Sequence, residues 1–267
     1  MFEGLRISVV VPARNEVDWI ADMVRSIPAW VDHVVVVDDA SDDLTSEVAA
    51  TTHRDAEVLR HDCRRGVGGA IVSGYRSALA RGTDVAVVMA GDGQMCPDDL
   101  PALLRPLARG EADYAKGDRL KHPDVRRVMP PARYFAGHAF SWLTGRAVGM
   151  PTLSDSQSGY TAITRRALLA MDLSAMWTGY GYPNDLLGMV RAAGFDAIDV
   201  PVRPVYRGEK SGLRPHHLLV VGALIARVAV RRALAGERRA PATPRSQAQE
   251  LRDVVPHGLG GAAADAE

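Results

Sequence analysis

The chain has 267 residues, 47% of them hydrophobic, enough for the core of one large α/β domain. Lysine plus arginine and aspartate plus glutamate are equal at 32 each, so no overall positive field favours nucleic acid as a partner. The two cysteines, Cys63 and Cys96, lie far apart and without metal-ligand spacing, which argues against a disulfide framework or a zinc cluster and for a reducing cytoplasm.

The opening, Met1 to Arg6, has no signal-peptide pattern and leads into Ile7-Ser8-Val9-Val10-Val11, a β-branched run stopped by Pro12. Such a run predicts a buried parallel strand. Trp19, Ile20, Met23, Val24 and Ile27 then recur at helical spacing and predict a helix over about 17–26. Val34 to Val37 is a second buried strand ending in Asp38-Asp39, with Ser41 and Thr45 as turn and cap before a helix through Val48 and Ala50. A short strand at 58–60 precedes Gly66-Val67-Gly68-Gly69 and a helix from about 70 to 81. The fourth strand, Asp84 to Met89, ends at Ala90-Gly91-Asp92, and Pro97 to Leu100 opens another helix. This alternation predicts a parallel, doubly wound sheet.

From 111 to 205 the pattern is looser, with Gly/Pro-rich loops, helices near 132–147 and 184–194, and a last strand at 198–202. The longest apolar run, Leu218 to Val230, is broken by Arg227 and falls short of the roughly 20 residues that span a bilayer. Beyond 237 the chain is rich in Arg, Ala, Pro and Gly with few large apolar residues, a composition expected to stay disordered.

Ligands of an open parallel sheet sit at the carboxyl ends of its strands. Three such ends turn polar here: Arg14-Asn15-Glu16, Asp38-Asp39, and Asp92 with Gln94. One acidic residue in such a place is commonly a helix cap. Three together form a cleft with carboxylates for a ribose, a base edge and a divalent cation.

Val11-Pro12-Ala13-Arg14-Asn15-Glu16 followed by Val37-Asp38-Asp39-Ala40-Ser41 resembles the opening of family 2 glycosyltransferases of the GT-A fold. The nearest branch is that of the dolichol- and polyprenyl-phosphate mannosyl or glucosyl synthases. Gly66 to Ala70 with Gly74-Tyr75, Met89 to Gln94 with Pro97, Gly117-Asp118-Arg119, Asp155 to Tyr160, and Arg207 to Gly212 continue the match in order, over about residues 6–215.

The resemblance implies an α/β, GT-A-like catalytic domain over 1–215, with a nucleotide-binding half to 115 and an acceptor half from 116. It also implies residue roles. Pro12, Arg14, Glu16 and Gly68 line the nucleotide-sugar pocket, and Asp39 holds the base or ribose. Asp92 and Gln94 place Mg²⁺ or Mn²⁺ on the donor diphosphate. Arg119 and Arg207, with Lys210, meet phosphate oxygens, for which the guanidinium fork is suited. The usual Asp-x-Asp appears as Ala90-Gly91-Asp92, so its first carboxylate is absent and diphosphate oxygens and water must complete the metal's shell. Asp185 corresponds to an acidic residue that faces the acceptor as a base. The alternatives are that it caps the helix that follows or, with an ionised phosphate acceptor, orients rather than deprotonates. Asp155 is a lesser candidate for that place and fits better as a structural partner of the Ser158-Gly159 turn. His216-His217 reads as an interface pair rather than a metal site.

The segment 216–236 interleaves Leu218, Leu219, Val221, Leu224, Ile225, Val228 and Leu234 with Arg227, Arg231 and Arg232. It predicts a basic amphipathic helix, lying either in a membrane interface or against the catalytic domain or a second subunit. The expected function is inverting transfer from a UDP- or GDP-sugar to polyprenyl phosphate at the cytoplasmic membrane face. A soluble small-molecule acceptor is the first alternative, and a non-catalytic nucleotide-sugar-binding protein with a degenerate metal site the second. A nucleotidyltransferase would need a glycine-rich loop after the first strand, where Pro12-Ala13-Arg14-Asn15-Glu16 has none. A dinucleotide oxidoreductase would need G-x-G-x-x-G, which Gly66-x-Gly68 does not complete.

Overall fold

The computed structural model describes residues 1–52, 56–205 and 215–235. The segment with Arg207 and Lys210 and the chain beyond 235 lie outside the described residues. In chain order the elements are β1 (Ile7–Ala13), α1 (Ile20–Ser26), β2 (His33–Asp38), α2 (Thr45–Thr52), β3 (Ala56–Arg60), α3 (Val67–Ala80), β4 (Val85–Val88) and α4 (Leu100–Ala108). There follow β5 (Tyr114–Asp118), α5 (Val125–Val128), α6 (Pro131–Val148), β6 (Thr161–Thr164), α7 (Arg165–Ala170), α8 (Tyr182–Ala192), β7 (Ala197–Pro201) and α9 (Pro215–Ala235).

All seven strands join one sheet in the order β3-β2-β1-β4-β6-β5-β7. Every pairing is parallel except those of β6, which runs antiparallel to both β4 and β5. The sheet is buried on both faces, which is why its central strands are near-continuous runs of valine. Val10, Val35, Val37, Ala86 and Val88 face α3 and α8 on one side. Ile7, Val9, Val11, Val34, Val36 and Val87 face α1 and α4 on the other.

The stretch 111–205 departs from the sequence reading by adding β5 and β6 to the same sheet. The expected helix at 17–26 begins only at Ile20, because the backbone before it is held by the next loop. Asn15 and Glu16 donate their N–H groups to Ser41 Oγ at 3.0 Å and Thr45 Oγ1 at 2.9 Å, and Asn15 Oδ1 accepts from the Asp42 N–H at 2.9 Å. The basic amphipathic helix is α9. Its buried residues, Val221, Leu224 and Val228, pack against the domain, and Val228 joins the core formed with Leu186, Leu187 and Val190 of α8.

Candidate active site

The loops after β1, β2 and β4 lie side by side at the carboxyl edge of the sheet, since these strands are neighbours. Pro12 is buried in β1, while Arg14 and Glu16 are half-buried in the loop beyond it. Arg14 reaches Asp42 at 3.4 Å. Asp38 is fully buried and spends its carboxylate on the Ser41 N–H at 2.9 Å and on the hydroxyls of Ser41 and Ser46.

Asp39 is also buried. Its Oδ1 accepts from the Arg65 N–H at 2.7 Å and meets His61 Nδ1 at 2.9 Å, and its Oδ2 accepts from the Gly66 N–H at 2.7 Å. Burial works against the charge, but the hydrogen bonds from His61, Arg65 and Gly66 prevail and hold the carboxyl below its usual range. Asp39 thus pins the loop that starts α3, and His61 is fixed in turn by Ser73 Oγ at 2.9 Å. Gly68 donates its N–H to Thr178 O at 2.8 Å. A Cβ there would stand 2.3 Å from Trp177 O, so only glycine allows this approach.

After β4, Asp92 accepts from the Gln94 N–H at 3.0 Å, and both side chains are half-buried. Among the described residues no group of three or more His, Cys, Asp or Glu side chains could hold a metal ion.

Gln94 lines a cleft of about 230 Å³ with Arg119, Arg133, Asp155, Gln157 and Tyr180, and with apolar Met95, Leu120, Met129, Phe140 and Val221. Arg119 makes a two-pronged contact to Asp155, Nε to Oδ2 at 2.8 Å and Nη2 to Oδ1 at 3.1 Å. Asp155 is 2% exposed. Burial alone would raise its pKa, but the charge and hydrogen bonds of Arg119, with the charge of Lys116, bring it down to about 2. Lys116, itself buried, pairs with Asp199 at 2.8 Å. α6 gives the cleft one face, Arg133, Ala136, Gly137 and Phe140, at helical spacing.

Asp185 stands elsewhere. It is fully buried in the first turn of α8, with the Trp177 N–H on Oδ2 at 2.7 Å, Arg231 Nη1 on Oδ1 at 3.0 Å and Arg227 Nε at 3.5 Å.

The sequence profile described as glycosyl transferase family 2 matches residues 8–170. The chain belongs to that family. Among curated relatives of this glycosyltransferase, the undecaprenyl-phosphate mannosyltransferase of Micrococcus luteus is 33% identical over 210 residues, covering 76% of this chain and 85% of the relative. The UDP-N-acetylglucosamine–dolichyl-phosphate N-acetylglucosaminyltransferase of Methanococcus voltae is 26% identical over 216 residues, covering 75% and 86%. A solved structure of glucosyl-3-phosphoglycerate synthase from Mycobacterium tuberculosis, holding Mn²⁺, UDP and glucosyl-3-phosphoglycerate, matches with a TM-score of 0.57 and 25% identity, over 85% of this chain and 78% of that one.

Of the residues singled out from sequence, the structure gathers Pro12, Arg14, Glu16, Asp39 and Gly68 around one set of loops, and Gln94 with Arg119 in the adjoining cleft. It corrects one expectation in detail. Asp185 neither caps α8, whose cap is Gly181, nor lines the cleft; it is the buried partner of two α9 arginines. Asp155 holds Arg119 through its carboxylate, and its backbone carbonyl accepts from the Ser158 N–H at 3.4 Å, so it is also a structural partner of the Ser158-Gly159 turn. Sequence reasoning missed His61, Arg133 and Tyr180. Arg133 had a signal, because it shares a helical face with Gly137 and Phe140. His61 and Tyr180 had none, since their roles depend on contacts far along the chain.

Proposed function

We propose that this glycosyltransferase moves a sugar from a nucleotide-sugar donor to an acceptor that arrives as an ionised phosphate, foremost a polyprenyl phosphate, with inversion at the anomeric carbon. The observation that carries this is the charge of the cleft. Among the described residues two arginines, Arg119 and Arg133, line it with a single carboxylate, Asp155, which Arg119 holds ionised. A carboxyl with a pKa of about 2 is a poor base at neutral pH. Asp185 is consumed in ion pairs. An alcohol acceptor would need a base to take its proton, whereas a phosphate oxygen attacks without one. In this reading a phosphate oxygen forms the bond to the anomeric carbon as the bond to the nucleoside diphosphate breaks.

On the donor side the reading places the nucleotide against Pro12, Arg14 and Glu16, with Asp39 and Gly68 shaping the wall. Asp92 and Gln94 offer one carboxylate and one amide, oxygen donors of the type that Mg²⁺ and Mn²⁺ accept, and so fit an ion held largely by diphosphate and water. When bound, that ion supplies counter-charge to the leaving nucleotide. Arg119 orients the acceptor phosphate, and Met129, Leu120 and Phe140 exclude water around it. Arg207 and Lys210 belong to the same reading from outside the described residues. Asp185 acts as a positioning residue.

The names of the two relatives, which act on undecaprenyl and dolichyl phosphate, support a lipid acceptor. Among the described residues no helix is long and apolar enough to cross a membrane, and this reading has the chain meet its lipid at the membrane surface. A small phosphorylated acceptor is the second reading, favoured by the solved neighbour with glucosyl-3-phosphoglycerate bound.

The test is sugar transfer in detergent from UDP- and GDP-sugars, with Mn²⁺, to a short polyprenyl phosphate and to the matching free polyprenol. Transfer to the phosphate alone is expected. Equal transfer to the alcohol would overturn the phosphate-acceptor reading, which has no base among the described residues of the cleft. Calorimetry with UDP and GDP, with and without Mn²⁺, identifies the donor class.

A further inference from the structure

Two faces of α6 have opposite fates. Arg133, Ala136, Gly137 and Phe140 line the cleft. About half a turn round the helix, Phe135, Ala139, Trp142 and Arg146 form an exposed stripe, with Leu143 on its flank. Phe135 is 70% exposed, Trp142 57% and Leu143 44%. Large aromatic side chains left this open mark a surface with a partner.

The charge around the stripe tells which partner. From Val125 to Ser154 there is no aspartate or glutamate, and α9 has none either. The same segments carry Arg126, Arg127, Arg133 and Arg146, and Arg227, Arg231 and Arg232. Arg126 lies 5.7 Å from the Tyr134 ring at one end of α6. Towards the other end Arg146 stacks at 4.7 Å on Trp142, and Arg232 Nη1 donates to the Arg146 carbonyl at 3.1 Å. The nearest exposed acid in sequence, Asp124, pairs with His122 at 3.8 Å when that ring is protonated. The apolar stripe is thus framed by cations alone on its own helix.

We infer that the exposed face of α6, centred on Phe135 and Trp142 and flanked by Arg126, Arg127 and Arg146, docks on an anionic lipid bilayer. The aromatic rings enter the headgroup boundary and the arginines meet lipid phosphates. This centres the membrane surface on α6 and not on α9, where the amphipathic pattern alone places it, although α9 also leaves Leu219, Val230 and Leu234 exposed. The reason is that α9 has no exposed aromatic side chain among its described residues, commits Val221, Leu224 and Val228 to the domain, and turns Arg231 inward to Asp185. The inference deepens and rests on the lipid-acceptor reading for its purpose. With one face on the bilayer, α6 presents Arg133 to the cleft on the other, so a lipid phosphate has only the width of one helix to pass.

The experiment uses the full chain with vesicles of phosphatidylcholine alone or mixed with phosphatidylglycerol. Wild type is compared with the double variant Phe135→Ser/Trp142→Ser by cosedimentation, and with Trp142→Phe by quenching from brominated lipids. Wild type should bind the anionic vesicles, and the double variant about tenfold more weakly. Quenching should fall when Trp142 is absent. Melting temperature and transfer in detergent should be unchanged in the double variant. Undiminished vesicle binding by the double variant would overturn the inference. So would a wild-type dimer by light scattering that the double variant dissociates, which would assign the stripe to a second copy. Vesicle binding as expected, with wild type inactive on polyprenyl phosphate in detergent, would uphold the docking face and sink the acceptor reading.

Discussion

Replacing Arg231 by methionine tests whether α9 is locked to the catalytic domain by charge. Asp185 is fully buried and Arg231 is 24% exposed, at 3.0 Å. Removing one partner of a buried ion pair costs about 3–5 kcal/mol, because the other is left charged in a poor solvent. Two features reduce that here. Arg227 remains at 3.5 Å from the same oxygen, and the Trp177 N–H stays on the other at 2.7 Å. The expected loss is therefore about 2–3 kcal/mol, or a fall in melting temperature of about 5–10 °C for a domain of this size. Asp185→Leu combined with Arg231→Met should recover most of it, since an apolar pair replaces a buried ion pair at little cost. Urea unfolding of the two single variants and the double variant, followed by circular dichroism, gives the coupling energy. A loss below about 0.5 kcal/mol for Arg231→Met, or simple additivity, would refute the lock.

The Asp155 carboxyl is held at about 2 against an ordinary 3.8, so its contribution is complete above the unfolded value and is lost as pH falls through the folded one. Asp155→Asn should therefore cost about 2 kcal/mol near neutral pH and flatten the decline in stability between about pH 4 and 2, as read by acid titration of thermal unfolding. Gly68→Ala pushes a Cβ to 2.3 Å from the Trp177 carbonyl and should cost about 2–3 kcal/mol, with weaker nucleotide binding in calorimetry. Asp92→Asn should lower the transfer rate by about 100-fold with folding unchanged by circular dichroism; full activity would remove Asp92 from the site. Ala90→Asp restores the missing carboxylate and should tighten Mn²⁺ binding in the presence of UDP about tenfold by electron paramagnetic resonance.

The half expected to bind the nucleotide was legible because parallel strands buried on both faces write themselves as valine runs, and β1, β2 and β4 each lead into polar residues. The stretch from 111 to 205 hid two strands for a physical reason. β5 reads Tyr-Ala-Lys-Gly-Asp, and its Lys116 looks like a surface residue until Asp199, 83 positions along the chain, neutralises it. β6 has only four residues, too few for any period to show. Asp185 carried a sequence signal of the right strength and the wrong role. Nothing local says whether a carboxylate at the start of a helix faces a cleft or a second helix 46 residues further on. The amphipathic pattern of α9 had the same ambiguity, since an apolar face flanked by arginines suits a bilayer and a protein surface equally until a buried acid claims one of the arginines.

That acid also links the two walls of the site. Asp39 holds the Gly66 N–H, and two residues on Gly68 donates to Thr178. The adjoining Trp177 donates its N–H to Asp185, which Arg231 of α9 holds in place. Arg227 Nη2 reinforces the same junction by donating to Ala175 O at 2.8 Å. Tyr180, from the loop so fixed, and Val221, from α9, both line the cleft. The nucleotide loop and the acceptor wall are therefore joined by consecutive hydrogen bonds and one ion pair, without passing through the metal segment at Asp92. On the proposed reading α9 is then part of the acceptor site even though it carries none of the reacting groups. A loosened α9 in Arg231→Met should accordingly weaken acceptor use first, at a nucleotide affinity still set by Asp39, Gly66 and Gly68 from the domain's own sheet.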